Sequence, residues 1–536
     1  MTKPIHTLIK ENWASGLTVG LVSIPIAVSL AVASHASPIA GIITAMWSGL
    51  IASLFGGSNY NIIGPTGALA GLLFLYANTF GPECLPILAM LSGALVFVAY
   101  LCRLEKYLTF IPGSALHGFI LGIAIIIICS QFNTALGLKN IPHRDNIIYG
   151  FYESLKHVDM LHLPTLAVFS AMLIGLLLFA YFTPRLPGSI VLTPFGILVG
   201  YLSVEKIIPW ELQTLGAKFP MLDVTLFQLP SFHFRLSYIF PALSIATISI
   251  LETMISARIA DGATKTKHNK RKEMFGLSLA NIGSGLAGGI PATAALARTA
   301  LNIRSGCTHS ASATISSFFI AFISLLFLHY FHYLPSAILA AILVFVSIRM
   351  LEMEHFLRMF KIDKKNLMLS LVVAGVTVYE DAVIGILLGA VIAMLLFMEK
   401  LSAGYHEIMV KSKEQQAPIS PTVPYEPETL VYSIKGPFAY INAQAHIARL
   451  DNIAPVYTDV ILNLQDVHFI DLDGVEALSD IIHGLGQKNK SVAIAGLNPV
   501  VEQLLHQSTR FKDLQKNNRV FADVNQALIN VSQRSI

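Results

Sequence analysis

The chain has 536 residues and a formal net charge of +4; 54% of its residues are hydrophobic and only 13% are charged. Its mean hydropathy is +0.64. Soluble domains carry about 25% charged residues, so this composition excludes an ordinary soluble protein and indicates a chain that lies mostly in lipid. The small net charge does not indicate nucleic acid as a partner, and the four cysteines lack the spacing of a metal site. The sequence also lacks a P-loop and a Rossmann fingerprint. We therefore expect no cofactor and no enzymatic activity.

Apolar segments follow one another along most of the chain, and they predict about fourteen membrane helices in two sets of seven. The first set falls near 13–33, 37–55, 64–77, 84–101, 112–132, 165–182 and 188–204. The second set falls near 237–257, 272–289, 294–304, 308–328, 332–348, 366–380 and 383–399. Basic residues cluster after the even-numbered segments, so we expect a multi-pass protein with both termini in the cytoplasm.

The third segment of the second set is interrupted within GGIPATAALARTALN, residues 288–302. The glycines and Pro291 disfavour a helix at its start, whereas the small residues from about Ala294 are compatible with one. A helix that begins at membrane depth directs unsatisfied N–H groups and a positive dipole end into the middle of the bilayer. This is the chemistry of an anion site. Arg298, one turn later, adds a positive charge beside it.

The first set contains a matching break in IGPTGALAG, residues 63–71, where Pro65 is followed by a hydroxyl residue and a run of small residues. Either break alone could be a kink between packed helices. Two interrupted helices at corresponding places in two halves predict a binding site near the bilayer midplane.

One acidic residue, Glu252, interrupts the eighth apolar segment, and Ser249 and Ser256 lie on the same face of that helix. A carboxyl group at such depth costs about 3 kcal/mol and is expected to face a polar cavity. Burial favours its neutral form, so Glu252 is a candidate for loading and releasing a coupling proton. The alternatives are a structural partner for Arg298 or a Na⁺ site made by Glu252 and Ser256.

The composition changes at about Leu401, and three domains are predicted: a transmembrane domain at 1–402, a Pro-rich linker at 403–427 and a cytoplasmic domain at 428–536. Prolines at every third position of the linker suit a stiff polyproline-II spacer: Pro418, Pro421, Pro424 and Pro427. Residues 460–464 and 492–497 read as buried strands. A spacing of three and four residues predicts a helix whose apolar face carries Val475, Leu478, Ile482 and Leu485.

Several motifs together resemble the SulP family of anion transporters, which is similar to the solute-carrier-26 exchangers. They are IP-x₅-A from Ile24, GPTGA at 64–68, GF-x₂-GIAI-x₄-SQ at 118–131, GGIPATAALARTALN at 288–302, and the C-terminal LNLQDVHFIDLDGVEAL and AGLNP. The last two resemble a STAS domain (sulphate transporter and anti-sigma-factor antagonist). The resemblance implies a polytopic all-α membrane domain built as a UraA-like 7+7 inverted repeat with core and gate subdomains, plus a small α/β STAS domain. It also implies a homodimer in the inner (plasma) membrane of a bacterium.

Carried over by position, the resemblance assigns the coupling acid to Glu252 and the lining of the pocket to Ile26 and Leu30. The same comparison assigns anion binding to seven residues: Thr66, Gly67, Ala68, Ala294, Ala295, Leu296 and Arg298. Many relatives have Gln and an aromatic residue where this chain has Ile26 and Leu30, and Ser where it has Ala297. We therefore expect a less polar pocket. Asp473 replaces the serine of phosphoregulated STAS domains, so that switch is expected to be absent.

These observations predict a secondary active transporter of a small anion (sulphate, bicarbonate or a dicarboxylate), coupled to protons. The alternatives are a sodium-coupled symporter, a nucleobase–cation symporter of the same fold, and a membrane sensor or scaffold that does not transport. Such nucleobase carriers place a second acid on the tenth segment, where this chain has Arg298. A cytosolic protein could be a partner of the STAS domain.

Overall fold

The structure is a computed structural model, and it divides into two compact units, Met1–Val391 and Ile392–Ile536. It describes residues 4–106, 113–138, 141, 147–183, 188–219, 225–351, 353–380, 382–402, 405–411, 429–453 and 457–534. The predicted linker segment 412–427, with its four spaced prolines, lies outside the described residues.

The first unit is helical apart from two very short strands. Its first half contains strand β1 (Ile63–Gly64) and helices α1 (Ile5–Ala33), α2 (Pro38–Phe55), α3 (Gly67–Phe80), α4 (Cys84–Leu101), α5 (Gly113–Leu136), α6 (Ile147–Lys156), α7 (Leu163–Phe182), α8 (Gly188–Val204) and α9 (Leu215–Lys218). Its second half contains strand β2 (Thr293–Ala294) and helices α10 (Ile239–Thr264), α11 (Lys270–Leu286), α12 (Leu296–Arg304), α13 (Ala311–Phe327), α14 (Ser336–Met350), α15 (Met353–Ile362), α16 (Lys364–Tyr379) and α17 (Ala382–Ser402), the last of which continues into the second unit.

Each predicted apolar segment coincides with one of these helices. Among the described residues, eight helices are long and apolar enough to cross a membrane, and three shorter apolar helices include α3 and α8. The number of crossings stays a prediction. Helices α6 and α15 were not predicted, because they are only ten residues long and amphipathic rather than continuously apolar.

The helices of the first unit form the two groups that the resemblance implies. In one group α1 packs against α13, α2 against α11 and α13, and α4 against α10 and α11. In the other group α5 packs against α14 and α16, and α7 packs against α14. The contacts recur with the two halves exchanged: α1–α13 matches α4–α10, α2–α13 matches α4–α11, and α5–α16 matches α7–α14, as expected for an inverted repeat.

The second unit contains a five-stranded sheet of order β3-β4-β5-β6-β7, in which β3 is antiparallel to β4 and the other pairs are parallel. Its strands are β3 (Tyr405–Lys411), β4 (Thr429–Phe438), β5 (Asp459–Ile470), β6 (Ser491–Ala495) and β7 (Val520–Phe521). Its remaining helices are α18 (Tyr440–Ile453), α19 (Leu472–Gln487), α20 (Pro499–Leu505), α21 (Thr509–Lys516) and α22 (Val524–Arg534).

Alternate residues of the parallel strands pack on opposite faces of this sheet. Leu430 and Leu462 belong to the larger apolar cluster, which includes the buried face predicted for α19. Val431 and Ile461 belong to a smaller cluster with Ala527 of α22. The sheet is thus covered by helices on both faces, as expected for a mostly parallel sheet.

Strand β3 lies inside the segment predicted to be a linker. Its whole length, Tyr405 to Lys411, pairs with β4 from Lys435 to Thr429. The sequence did not predict this strand. Its pairing partner β4 lies on the other side of the proline-rich segment, so the residues next to β3 give no sign of the pairing. The C-terminal sheet therefore begins before residue 428, and the domain boundary at 402/403 stays a prediction.

Removal of residues 403–536 is expected to leave a folded membrane unit that binds substrate as the full-length protein does. The reason is that the C-terminal sheet has its own apolar clusters. The shortened protein would be examined by size-exclusion chromatography in detergent and by anion titration. Loss of anion binding in a monodisperse sample would show that the membrane unit depends on the C-terminal unit, whereas a changed transport rate alone would not.

Candidate functional site

The two breaks predicted from the sequence pair with each other at the centre of the helical unit. Ile63 pairs with Ala294 and Gly64 pairs with Thr293 in an antiparallel bridge, and the Ala295 N–H donates to the Ile62 carbonyl at 2.9 Å. Backbone groups in an apolar environment must find partners inside the protein, and each break supplies partners for the other. The pairing sets the N-termini of α3 and α12 beside each other. Because Thr293 and Ala294 form β2, α12 begins at Leu296 rather than at the predicted Ala294.

Arg298 connects the second break to the first. Its side chain is only 3% exposed, and its Nη2 donates to the Pro65 carbonyl at 2.5 Å. Its Nε has no hydrogen-bond partner within the part of the chain that the structure describes. The guanidinium occupies the space beside Gly64, where an added Cβ would lie 2.8 Å from Nη1. The guanidinium of Arg298, from the second break, thus lies buried against Gly64 and Pro65 of the first.

Glu252 lies against the same two breaks. The Thr66 hydroxyl donates to Glu252 Oε2 at 3.1 Å, so Thr66, the N-cap residue of α3, does not cap its own helix. The next residue, Thr253, holds β2: its Oγ1 accepts the Ala294 N–H at 3.2 Å and lies 3.0 Å from Thr293 Oγ1. Glu252 is partly exposed, whereas Thr66 is buried. The structure thus brings Glu252, Thr66 and Arg298 to one place.

Ser256 lies one turn after Glu252 and joins a different set of polar groups. Its hydroxyl is fully buried, 2.9 Å from Asn61 Oδ1 and 3.1 Å from Thr299 Oγ1. Thr299 Oγ1 also accepts the Ile62 N–H at 3.1 Å. This cluster supports the residues just before β1. Sequence reasoning missed Asn61 and Thr299; the signal that could have found them is a polar residue beside each break.

Glu273 of α11 is a buried carboxylate that sequence reasoning missed. It is 2% exposed. Its Oε2 accepts the N–H groups of Gly57 and Ser58 at 2.7 and 2.8 Å, and its Oε1 accepts the Asn61 amide at 2.6 Å. Glu273 therefore anchors the loop between α2 and β1. This position is at the start of an apolar segment, where a charged residue is ordinary, so the sequence gives no signal of the role.

The remaining predicted residues lie around the two helix N-termini. Gly67 and Ala68 begin α3 and are buried; a Cβ at Gly67 would lie 3.1 Å from Ile127 Cδ1 and 3.2 Å from Met350 Sδ. Helices α5 and α14 therefore close over the start of α3. In α1, which contacts α3 and α12, Leu30 is buried and Ile26 is partly buried. Their lining of the pocket stays a prediction.

The start of α12 is accessible although it lies within the helical unit. Ala295 and Leu296 are partly exposed and Ala297 is exposed, whereas Ala294 and Arg298 are buried. Together with Glu252, the first three of these residues are not fully buried. The arrangement can bind an anion through backbone N–H groups and a positive charge behind them.

Gly64→Ala is expected to displace the Arg298 guanidinium and to lower anion uptake about tenfold, the effect of overpacking by 1–3 kcal/mol. Initial uptake rates in proteoliposomes measure the effect. Gly375→Ala is a suitable control, because a Cβ there meets no atom within 4 Å. Equal uptake by both variants would show that the space beside Gly64 is not required.

In this helical unit two broken helices meet beside a buried arginine and a glutamate. This is the architecture of secondary transporters. Residues 9–373 match the sulfate permease family, and residues 420–527 match the STAS domain. The chain belongs to the sulfate permease family. The resemblance drawn from its motifs, and the predicted fold class, are thereby confirmed.

Relatives match along nearly the whole chain. YvdB of Bacillus subtilis is 28% identical over 522 residues, which cover 95% of each chain. The bicarbonate transporter BicA of Picosynechococcus is 25% identical over 96% of this chain and 93% of its own. The structure of the murine Slc26a9 anion transporter in its inward-facing state superposes with a TM-score of 0.82 at 15% identity, and covers 99% of this chain and 92% of its own. The last likeness shows the fold.

Proposed function

We propose that this protein is a secondary active transporter of a small anion, which binds between the N-termini of α3 and α12. The observation that carries the proposal is the β1–β2 pairing, which sets both helix N-termini beside Arg298 and Glu252. Two helix dipoles and a buried guanidinium favour negative charge at this point.

Sulphate, bicarbonate and a dicarboxylate are the candidate substrates. The family is described as sulfate permeases, and one relative is a bicarbonate transporter. All five lining residues, Gly67, Ala68, Ala294, Ala295 and Leu296, have small or apolar side chains. Backbone N–H groups come from the first turns of α3 and α12, because those of Ala294 and Ala295 already donate to Thr253 and to the Ile62 carbonyl. Such a site binds a compact anion by its charge and has few side-chain groups with which to recognise a larger polar molecule, which argues against a nucleobase.

Proton coupling follows from the proximity of Glu252 to Arg298. When Glu252 is ionised, its charge opposes that of Arg298 and reduces the attraction for an anion. When Glu252 is protonated, the positive charge of Arg298 is left to attract the anion. Loading of the proton and loading of the anion therefore favour each other, which is the requirement for symport.

Sodium coupling is the second candidate, and the Ser256 cluster favours it. The side-chain oxygens of Asn61 and Thr299 both lie within hydrogen-bond distance of the Ser256 hydroxyl, at 2.9 and 3.1 Å. Hard cations bind oxygen ligands, and a carboxylate from Glu252, one turn away, would supply the charge. In this case Glu252 stays ionised during transport.

The test is uptake of radiolabelled sulphate, bicarbonate and succinate into proteoliposomes, first under a proton gradient without sodium and then under a sodium gradient at equal pH. Accumulation under the proton gradient alone is expected. Accumulation only with sodium would show that the coupling ion is Na⁺ and not a proton. A folded protein that takes up no anion under either gradient would contradict transport and favour the sensor or scaffold.

The remaining parts of the proposal concern placement and assembly. We place the protein in the inner membrane of a bacterium, because its relative YvdB is from the bacterium Bacillus subtilis. We place both termini in the cytoplasm because of the basic loops. A homodimer and a cytosolic partner of the STAS domain follow from the resemblance to the family. Cross-linking in native membranes and protease accessibility of the C-terminal unit test them.

A further inference from the structure

Two polar cavities lie side by side at the face where α1 and α5 end and α14 begins. Each has an empty volume of about 510 Å³, open solvent included. They share the side chains of Thr134, Gln213 and Ser336. The topology predicted from the basic loops makes this the outer face of the membrane.

The cavity that contains Lys218 is separate from the site between α3 and α12. Its wall includes Phe74 of α3 and Leu343 of α14. Phe74 follows Gly67 by two helical turns, or about 10 Å along the axis. Ile127 and Met350, which pack beside Gly67, do not line this cavity. The cavity therefore shares no lining residue with the central site.

The polar groups of this cavity suit an anion. Lys218 supplies the positive charge, and Gln131, which is 8% exposed, supplies an amide. Ser336 is 7% exposed, and its hydroxyl has no hydrogen-bond partner among the described residues. Ser336 is also the first residue of α14, which has no side-chain cap; its own N–H donates to the Gln213 carbonyl at 2.8 Å. A buried hydroxyl without a partner, a helix N-terminus and an ammonium group therefore meet in one cavity.

The adjoining cavity has different chemistry, because Glu211 and Asn133 line it. A carboxylate there would repel an anion. The observations therefore favour only the cavity of Lys218 as an anion site, and Ser336 is at the boundary between the two.

We propose that the cavity formed by Lys218, Gln131 and Ser336 is a second anion-binding site, at which a small inorganic anion or carboxylate is held before it reaches the central site. Transfer requires α5 and α14 to move away from the start of α3. The role as a waiting site rests on the proposed transport function, whereas the binding of an anion in the cavity does not.

The first measurement is equilibrium binding to the full-length protein in detergent, with sulphate, bicarbonate and succinate as probes. It is made on Arg298→Ala, in which the central site is disabled. We expect a remaining saturable site that Lys218→Gln weakens about fivefold, the loss expected for one exposed charge interaction, and that Ser336→Ala also weakens. Lys218→Arg should retain it. Lys206→Gln is the matched control, since Lys206 is an exposed lysine after α8 and does not line the cavity.

The second measurement resolves the two sides of the membrane. In right-side-out vesicles, Lys218→Gln should raise the KM for anion about fivefold and leave the maximal rate unchanged. In inside-out vesicles the KM should not change. Binding that is absent in Arg298→Ala, or that is unaffected by Lys218→Gln and Ser336→Ala, would overturn the second site. An equal effect of Lys206→Gln would attribute the change to general surface charge and overturn it too. Lys218-dependent binding by a protein that takes up no anion would support the site and overturn the transport function.

Discussion

Arg298→Ala is expected to abolish saturable anion uptake while the protein stays folded. The substitution removes the buried positive charge between the two helix N-termini and leaves Glu252 with its charge uncompensated. Removal of one partner from a buried charged interaction costs about 2–5 kcal/mol, which corresponds to a loss of anion affinity on the order of a hundredfold. Initial uptake rates and equilibrium anion binding measure the effect.

Two controls separate this effect from a loss of structure. Arg304→Ala removes a positive charge from the exposed end of the same helix and should leave uptake unchanged. Loss of the hydrogen bond from Arg298 to the Pro65 carbonyl should lower the free energy of unfolding by about 1.5–3 kcal/mol, so size-exclusion and thermal unfolding profiles accompany the transport data. Wild-type affinity and uptake in a monodisperse Arg298→Ala protein would show that this side chain only ties the two breaks together.

Glu252→Gln is expected to keep anion binding and exchange but to lose accumulation driven by a proton gradient. Glutamine has nearly the shape of a protonated glutamate, and its amide oxygen can still accept the Thr66 hydroxyl. It cannot release a proton, so anion movement no longer requires proton movement. In the wild-type protein uptake should rise as the outer pH falls, whereas in the variant uptake should not depend on this pH.

Glu273→Gln is the matched control for Glu252→Gln. Both residues are carboxylates within the helical unit, but Glu273 accepts the N–H groups of Gly57 and Ser58, whereas Glu252 accepts the Thr66 hydroxyl at the start of α3. Its substitution should lower stability and leave proton-driven accumulation intact. Full proton-driven accumulation by Glu252→Gln would exclude this residue from the coupling. If the variant instead loses accumulation driven by a sodium gradient, the Na⁺ alternative is favoured.

Much of the candidate site could be predicted from the sequence, because its signals are properties of single residues. Glycine and proline exclude a helix wherever they cluster, so the breaks before α3 and α12 are visible without a structure. Arg298 and Glu252 are charged residues in apolar segments, where a charge requires a functional or structural reason. The prolines after Lys411 and the apolar face of α19 likewise indicate a separate C-terminal domain.

The hydrogen-bond partners of these residues could not be predicted in this way. Thr66 donates to Glu252, and Arg298 donates to Pro65, across large separations in sequence. Asn61, Thr299 and Glu273 look like ordinary polar residues near the ends of segments. Their roles exist only because packing of the two halves brings them together.

The sequence by itself indicated that this protein is polytopic and that two of its helices are interrupted, and it singled out Arg298 and Glu252 as charged residues in apolar segments. Hydropathy and backbone propensity are local, and they act in the same way whatever the rest of the chain does. The tertiary structure alone decided that β1 pairs with β2, that β3 joins the C-terminal sheet, and that Lys218 and Ser336 share a cavity. The physical reason is that each buried polar group must find a partner, and which partner it finds depends on how distant helices pack.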